Sequence, residues 1–424
     1  MSHTPIPFTK KEILELIKSF PTPFHIYDEE RIRQTAKSLN KAFSWVKGFK
    51  NYFAVKALPN PSILKILKEE GMGADCSSLP ELMLSNTAGM KNEEIMFTSN
   101  DTPQEEFQKA HQLNAIINLD DISHLEFLEK TLGKMPELIC FRYNPGLLRG
   151  GNEILGNPVE SKYGLTNDQI VEAYKKAKEL GVKRFGLHTM IVSNMRDEEY
   201  LIKTAEMLFS LALKIYKQTG IKIEFVNLGG GIGIPYSPED KKVDLDKFSK
   251  GVKESYDKII KGTALEPLRI VMESGRAITG PHGWLISRVR HVSHKYRDYV
   301  GLDACMANLM RPALYGAYHE ITVLGKENSS KNFVYDVTGS LCENNDKFAI
   351  QRKLPKIVPG DIIVIHNTGA HGHAMGFNYN GKLRSAEFLR KTNGKFIMIR
   401  RAETVKDYFA TLSGFDASSG FTPR

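Results

Sequence analysis

The sequence predicts an α/β protein, a (β/α)8 barrel joined to a second, mostly antiparallel β domain. Three observations carry this expectation. Eight short β-branched or apolar runs alternate with longer amphipathic segments over the first two thirds of the chain. The last third holds strand-like runs without long helices between them. Finally, 424 residues are too many for one small core and suit a large domain plus a smaller one.

The runs at 51–56, 73–77, 94–98, 115–119, 138–143, 184–189, 224–228 and 269–273 read as strands. After the first of them, Asn60 can cap a helix with Pro61 at its first position. Ile63, Ile66 and Leu67 give that helix an apolar stripe, and Gly71 stops it. Segments 172–180 and 199–218 carry helical periodicity between later strands. Strand–helix alternation implies a parallel sheet, and eight units suggest closure into a barrel. From about Leu285 the runs RVRHVSH, YVGLDA, EITVLG, FVYDVTG, DIIVIHN and FIMIRRAE follow one another as strands. The barrel is assigned to 36–279, and the β domain to 1–35 plus 280–424.

Composition narrows the function classes. With 41% hydrophobic and 25% charged residues, the chain reads as an ordinary globular protein. Its opening stretch lacks the apolar core of a signal peptide, and no run of about 18 apolar residues offers a membrane span. Cys76, Cys140, Cys305 and Cys342 lie far apart with no CxxC pair, which predicts a reducing, cytoplasmic setting rather than a disulfide scaffold. The net charge of +9 is spread over lysines with acidic neighbours, so no nucleic-acid stripe is expected. His366, His371 and His373 sit in a glycine-rich loop without a matching carboxylate or cysteine cluster, and no metal is expected.

A barrel carries its active site at the carboxyl ends of its strands. Lys56 stands there after the first strand, Asp75 and Ser77 after the second, Arg142 and Asn144 after the fifth, and His188 on the sixth. The seventh leads into Gly229, Gly230 and Gly231, and the eighth into Glu273, Ser274, Gly275 and Arg276. The period of two puts Lys56 with Ala54 toward the barrel interior. Burial there would lower its pKa and leave a free amine able to attack an aldehyde. The alternative is a strand-end lysine reaching solvent. The run LGGGIGIP reads either as a phosphate loop of backbone N–H groups or as a tight turn. Glu273 and Arg276 read either as a local ion pair or as ligand-binding groups. In the second case the carboxylate faces a cofactor's pyridine nitrogen and the guanidinium a carboxylate or phosphate.

Several strings decide among these alternatives by resemblance. YFAVKALPNPSILKIL, NLGGGIGIPY, ESGR, DACMANLMRPALYGAYHEI, GSLCENND and GAHGHAMGFNYNGKLRSAE run in order from Tyr52 to about Glu387. Together they resemble the diaminopimelate decarboxylases, group IV pyridoxal-phosphate decarboxylases of the alanine racemase-like fold. The resemblance implies a homodimer with shared active sites, and pyridoxal 5'-phosphate held as an imine on Lys56. It further implies a cofactor site of Asp75, His188, Gly229 to Gly231, Glu273, Gly275, Arg276 and His371. Arg276, Arg311, Tyr315, Glu343 and His371 would bind substrate, with Arg276, Arg311 and Tyr315 toward its distal carboxylate. Cys342 would protonate the carbanion, and Glu343 would hold the distal ammonium. The implied reaction turns meso-diaminopimelate into L-lysine and CO2. The same fold also serves racemases, decarboxylases of other basic or D-amino acids, and catalytically silent cofactor-binding relatives.

Three motifs depart from the family pattern. Strand six reads HTMIVSN where relatives carry HxHIGS, so Met190 replaces the ring-stacking histidine and Val192 the glycine. ESGR stands in place of EPGR, and His371 in place of a tyrosine.

Overall fold

The computed structural model describes residues 5–152 and 154–413; the expected domain ends at 1–4 and 414–424 lie outside them. The chain divides into two compact units. One holds the described residues of Met1–Arg31, Tyr236–Asp240 and Thr279–Arg424, and the other Ile32–Pro235 and Lys241–Ile278.

The first unit is a nine-stranded, mostly antiparallel sheet assembly that begins with β1 (Phe24–Asp28). The second is a closed barrel of eight parallel strands. These are β2 (Lys50–Ala54), β3 (Gly73–Cys76), β4 (Ile95–Thr98), β5 (Ile116–Leu119), β6 (Leu138–Arg142), β7 (Arg184–His188), β8 (Ile223–Asn227) and β9 (Arg269–Met272). Closure comes from β2 pairing β9, Lys50 opposite Val271 and Asn51 opposite Met272. All eight expected strands are present, shifted by a residue or two at their ends. The helix after β2 begins at Pro61, where the Asn60 side chain accepts from Ser62 N–H at 3.0 Å, and Gly71 follows it with φ +81°.

Tyr52, Met96, Ile116, Leu138, Cys140, Phe225 and Val271 pack inside the barrel. At the amino ends of the strands, Arg184 bridges Glu93 (2.5 Å) and Glu224 (2.7 Å), and Arg269 also pairs with Glu224. That end is therefore tied off by structural ion pairs, and the chemistry-bearing groups stand at the other.

The β unit continues with β10 (Gly283–His294), β11 (Asp298–Leu302), β12 (Ile321–Val323), β13 (Phe333–Thr338), β14 (Lys347–Leu354), β15 (Ile362–Ile365), β16 (Ala386–Arg390) and β17 (Phe396–Arg400). Their order is β14-β13-β11-β10-β1-β16-β17, with β15 on β10 and β12 on β15. Three strands were not read from the sequence. FHIYD of β1 is buried throughout between β10 and β16, so its two polar ends hide no solvent face. KFAIQRKL of β14 is heavily charged, and AEFLR of β16 is short.

Candidate active site

In the barrel unit, Lys56 does not lie on a strand. β2 ends at Ala54, and Val55–Ala57 form a single 3-10 turn that aims the amine across to β3. Lys56 Nζ lies 3.2 Å from Asp75 Oδ2, and its side chain is half-exposed rather than buried. The expected fall in its pKa is also corrected. Burial lowers it, but Asp75 first and Glu273 next outweigh burial, and the net shift is upward. Asp75 is raised to about 7, chiefly by its own burial and then by the negative charge of Glu273, with Lys56 pulling the other way. Its Oδ1 is buried without a hydrogen-bond partner.

Glu273 follows β9 and is buried. Asn227 Nδ2 donates to its Oε1 at 2.7 Å, and His188 Nε2 stands 3.2 Å from its Oε2, out of line for a hydrogen bond. Burial pushes its pKa up, yet His188, Lys56 and the Asn227 bond together hold it well below the usual carboxylate range. His188 is oriented from behind by Asn118, whose Nδ2 is 2.8 Å from its Nδ1. Arg276 is buried and donates to Ser193 Oγ at 3.3 Å.

The glycine run packs against this group. A β-carbon at Gly230 would come within 2.6 Å of the Glu273 carbonyl oxygen, and Gly231 has φ +84°, so a side chain is excluded at both. Two of the expected phosphate donors already have protein acceptors. Gly229 N–H donates to Asn227 Oδ1 (2.9 Å) and Gly230 N–H to Met190 Sδ (3.3 Å). Met190 thus supports the glycine turn itself. Gly275 sits against Ala54 and Ala57, the residues that flank Lys56's turn.

Other expected mouth residues serve the surrounding loops. Ser77 accompanies its own N–H onto Glu81, and Asn144 donates to Pro158 and Tyr163 carbonyls. Arg142 lies 3.5 Å from Asp120 and stacks 4.0 Å from the Tyr163 ring.

Asn51, Asn118 and Asn227 were missed. Each is the single amide of a mostly buried strand, and that is the signal that could have found them. Asn51 also accounts for the ESGR sequence. Its Oδ1 accepts from Ser274 N–H at 2.8 Å while its Nδ2 donates to Ser274 O at 3.1 Å. A proline at 274 has no N–H to give. Ser274→Pro should therefore strand a buried amide oxygen and cost about 1–3 kcal/mol. Calorimetry should show a lower Tm for it, and a parent-like Tm for Ser274→Ala, which keeps the N–H.

In the β unit, Arg311 is buried at the start of the helix Arg311–Tyr315. Its Nη1 is 2.9 Å from His319 Nε2, and its guanidinium lies 4.2 Å from the Tyr236 ring. Tyr315 ends the helix half-exposed. Cys342 is exposed and Glu343 partly buried on the turn between β13 and β14. His371 has φ +55° in the loop between β15 and β16. His366 bonds Thr322 and His373 bonds the Ser385 carbonyl, so the loop's histidines have separate partners.

The pyridoxal-dependent decarboxylase family, in its pyridoxal binding domain, matches residues 29–280. The chain belongs to this family. It is a pyridoxal-phosphate-dependent lyase. Protein TabA of Pseudomonas amygdali pv. tabaci is 43% identical over 93% of this decarboxylase and 92% of its own length. The diaminopimelate decarboxylase of Methanothermobacter thermautotrophicus is 35% identical over 93% and 92%. Among solved structures, diaminopimelate decarboxylase from M. jannaschii superposes with a TM-score of 0.86 at 30% identity, covering 94% of this chain and 93% of that one. The Helicobacter pylori enzyme complexed with L-lysine gives 0.85 at 29%, covering 94% and 98%.

The barrel residues of the decarboxylase fit the cofactor. Asp75 Oδ1, His188 Nε2 and Ser274 Oγ are buried polar atoms without hydrogen-bond partners, and Lys56 is accessible beside them. No helix among the described residues is long and apolar enough to cross a membrane.

Proposed function

We propose that this decarboxylase converts meso-2,6-diaminopimelate to L-lysine and CO2, working as a cytoplasmic homodimer. The observation that carries this reading is the buried guanidinium of Arg276, just past the carboxyl end of β9. A buried guanidinium is retained where a carboxylate or phosphate must be gripped, and the far end of diaminopimelate carries a second carboxylate. Partly buried Glu343 offers the opposite charge for the distal ammonium. Relatives named diaminopimelate decarboxylases, 30–35% identical over nearly the whole chain, support the same reading.

Bound pyridoxal phosphate supplies the electron sink for the bonding pair released as CO2 leaves. The chain's own groups divide the remaining work. Asp75 lies 3.2 Å from Lys56 Nζ and orients the amine, whose ammonium form it favours. Glu273 stays anionic and holds positive charge on the ring nitrogen, with Asn227 and His188 fixing its oxygens. The glycine turn would hold the phosphate, with Asp75, His188 and Gly275 beside it in the barrel unit. Arg276 would meet the substrate's distal carboxylate, and Cys342 of the partner subunit would give its thiol proton to Cα.

A second reading, decarboxylation of another basic or D-amino acid, is favoured by Met190 and His371 and by the 43% relative that bears a different name. CO2 release from meso-diaminopimelate, ornithine, arginine and D-lysine separates the two. A kcat/KM for meso-diaminopimelate at least ~10²-fold above the others is expected, since a buried charged clamp rejects substrates that lack its partner. Turnover of another substrate with none of meso-diaminopimelate overturns the proposal. Cofactor binding without any CO2 marks a silent relative.

A further inference from the structure

We propose that Asn380 is a positioning residue for Cys342, holding the thiol's backbone in place for proton delivery; the inference rests on Cys342 being the proton donor. The turn that bears Cys342 is fixed on both flanks by buried Asp346. Its carboxylate accepts from Leu341 N–H at 2.8 Å and from Met306 N–H at 2.6 Å, and its own N–H donates to the Glu343 carbonyl at 3.1 Å. Those bonds leave Cys342, at the tip of the turn, exposed to solvent.

Asn380 reaches the tip from another loop. Its Oδ1 accepts from Cys342 N–H at 2.7 Å, across 38 positions of sequence. The backbone of Asn380 has φ +54°, a region that asparagine enters more readily than most residues and that aims its side chain at the turn. The same loop carries His371, and it is tied down by His373. His373 Nε2 is 2.9 Å from the Ser385 carbonyl and its Nδ1 is 2.9 Å from Arg384 Nη2. Asn378 adds a bond to Glu403 at 2.7 Å. Two loops that each carry an expected site residue are thereby joined through one side-chain carbonyl. An exposed segment tip would otherwise sample many orientations, and a proton donor displaced by about 1 Å loses much of its effect.

The test compares Asn380→Gly, which relaxes the backbone and removes the acceptor, with Asn380→Asp, which keeps an acceptor and tolerates the same φ. Both are measured on the cofactor-loaded protein. In Asn380→Gly, hydrogen–deuterium exchange of the Cys342 amide should speed up about tenfold, the protection that one ordinary hydrogen bond confers. Its kcat should fall about tenfold while KM and cofactor affinity change less than about twofold. Asn380→Asp should keep both readouts near the parent. Unchanged exchange in Asn380→Gly overturns the contact, and unchanged kcat overturns its role in turnover. Cys342→Ala measured alongside tells the two readings apart. If that variant is fully active, it is the reading of Cys342 that fails; if it is inactive while Asn380→Gly is not, the assignment of Asn380 fails.

Discussion

Replacing Lys56 with alanine is expected to abolish the borohydride-reducible attachment of pyridoxal phosphate and all decarboxylation. The 3-10 turn at Val55–Ala57 delivers this amine to the cluster of Asp75 and Glu273, and reduction that still labels the mutant stoichiometrically would remove Lys56 from its assigned role. The same variant tests the shared active site. A Lys56→Ala chain keeps Cys342, and a Cys342→Ala chain keeps Lys56. If each site draws Lys56 from one chain and Cys342 from its partner, mixed dimers contain one site with neither lesion. Random pairing makes half of the dimers mixed, so freely exchanging mutants should recover about a quarter of the parental activity per chain. No recovery despite demonstrated exchange would place both residues within one chain.

Glu273→Gln should lower kcat by roughly 10²–10³-fold, the usual effect of removing a preorganised charge from a buried site. It should also reshape the pH dependence of stability. The folded pKa of Asp75 is raised to about 7, by burial and then by the charge of Glu273. Its proton therefore favours the folded chain fully below the ordinary aspartate value of about 3.9, and that benefit is lost as pH rises toward 7. Glu273, held low, contributes in the opposite sense, and its part is already complete above its ordinary value of about 4.3. Between pH 5 and 7 Asp75 thus makes stability fall as pH rises, while His25, whose burial lowers its pKa to about 3, and His373, also lowered by burial, make it rise. Neutralising position 273 removes a repulsion, lowers the Asp75 pKa and shrinks the Asp75 part, leaving the histidine part in place. Thermal unfolding of parent and variant at pH 5 and pH 7 measures the difference between their slopes, and identical slopes would show that burial alone sets the Asp75 pKa.

The sequence by itself determined the barrel, because a parallel strand buried on both faces must be a short apolar run, and each such run here is set off by an amphipathic helix. It also placed Lys56, Asp75, His188, the glycines, Glu273 and Arg276 at one end, since strand order and direction assign every strand's carboxyl end to the same rim. Its reading of the strands with charged or hidden ends failed: β1, β14 and β16 are recognised only by their partners. Tertiary structure alone decided the electrostatics. Periodicity carried Lys56 inward as a buried, easily deprotonated amine, whereas a one-turn change of direction leaves it half-exposed and paired with Asp75. A pKa is set by every charge within a few ångströms, and Asp75, His188 and Glu273 are brought together from positions up to 198 residues apart, a distance no local pattern spans. The same holds for the ESGR serine. Its difference from proline has no local meaning, and becomes intelligible only when Asn51, from the opposite end of the barrel unit's sequence, is seen accepting its N–H.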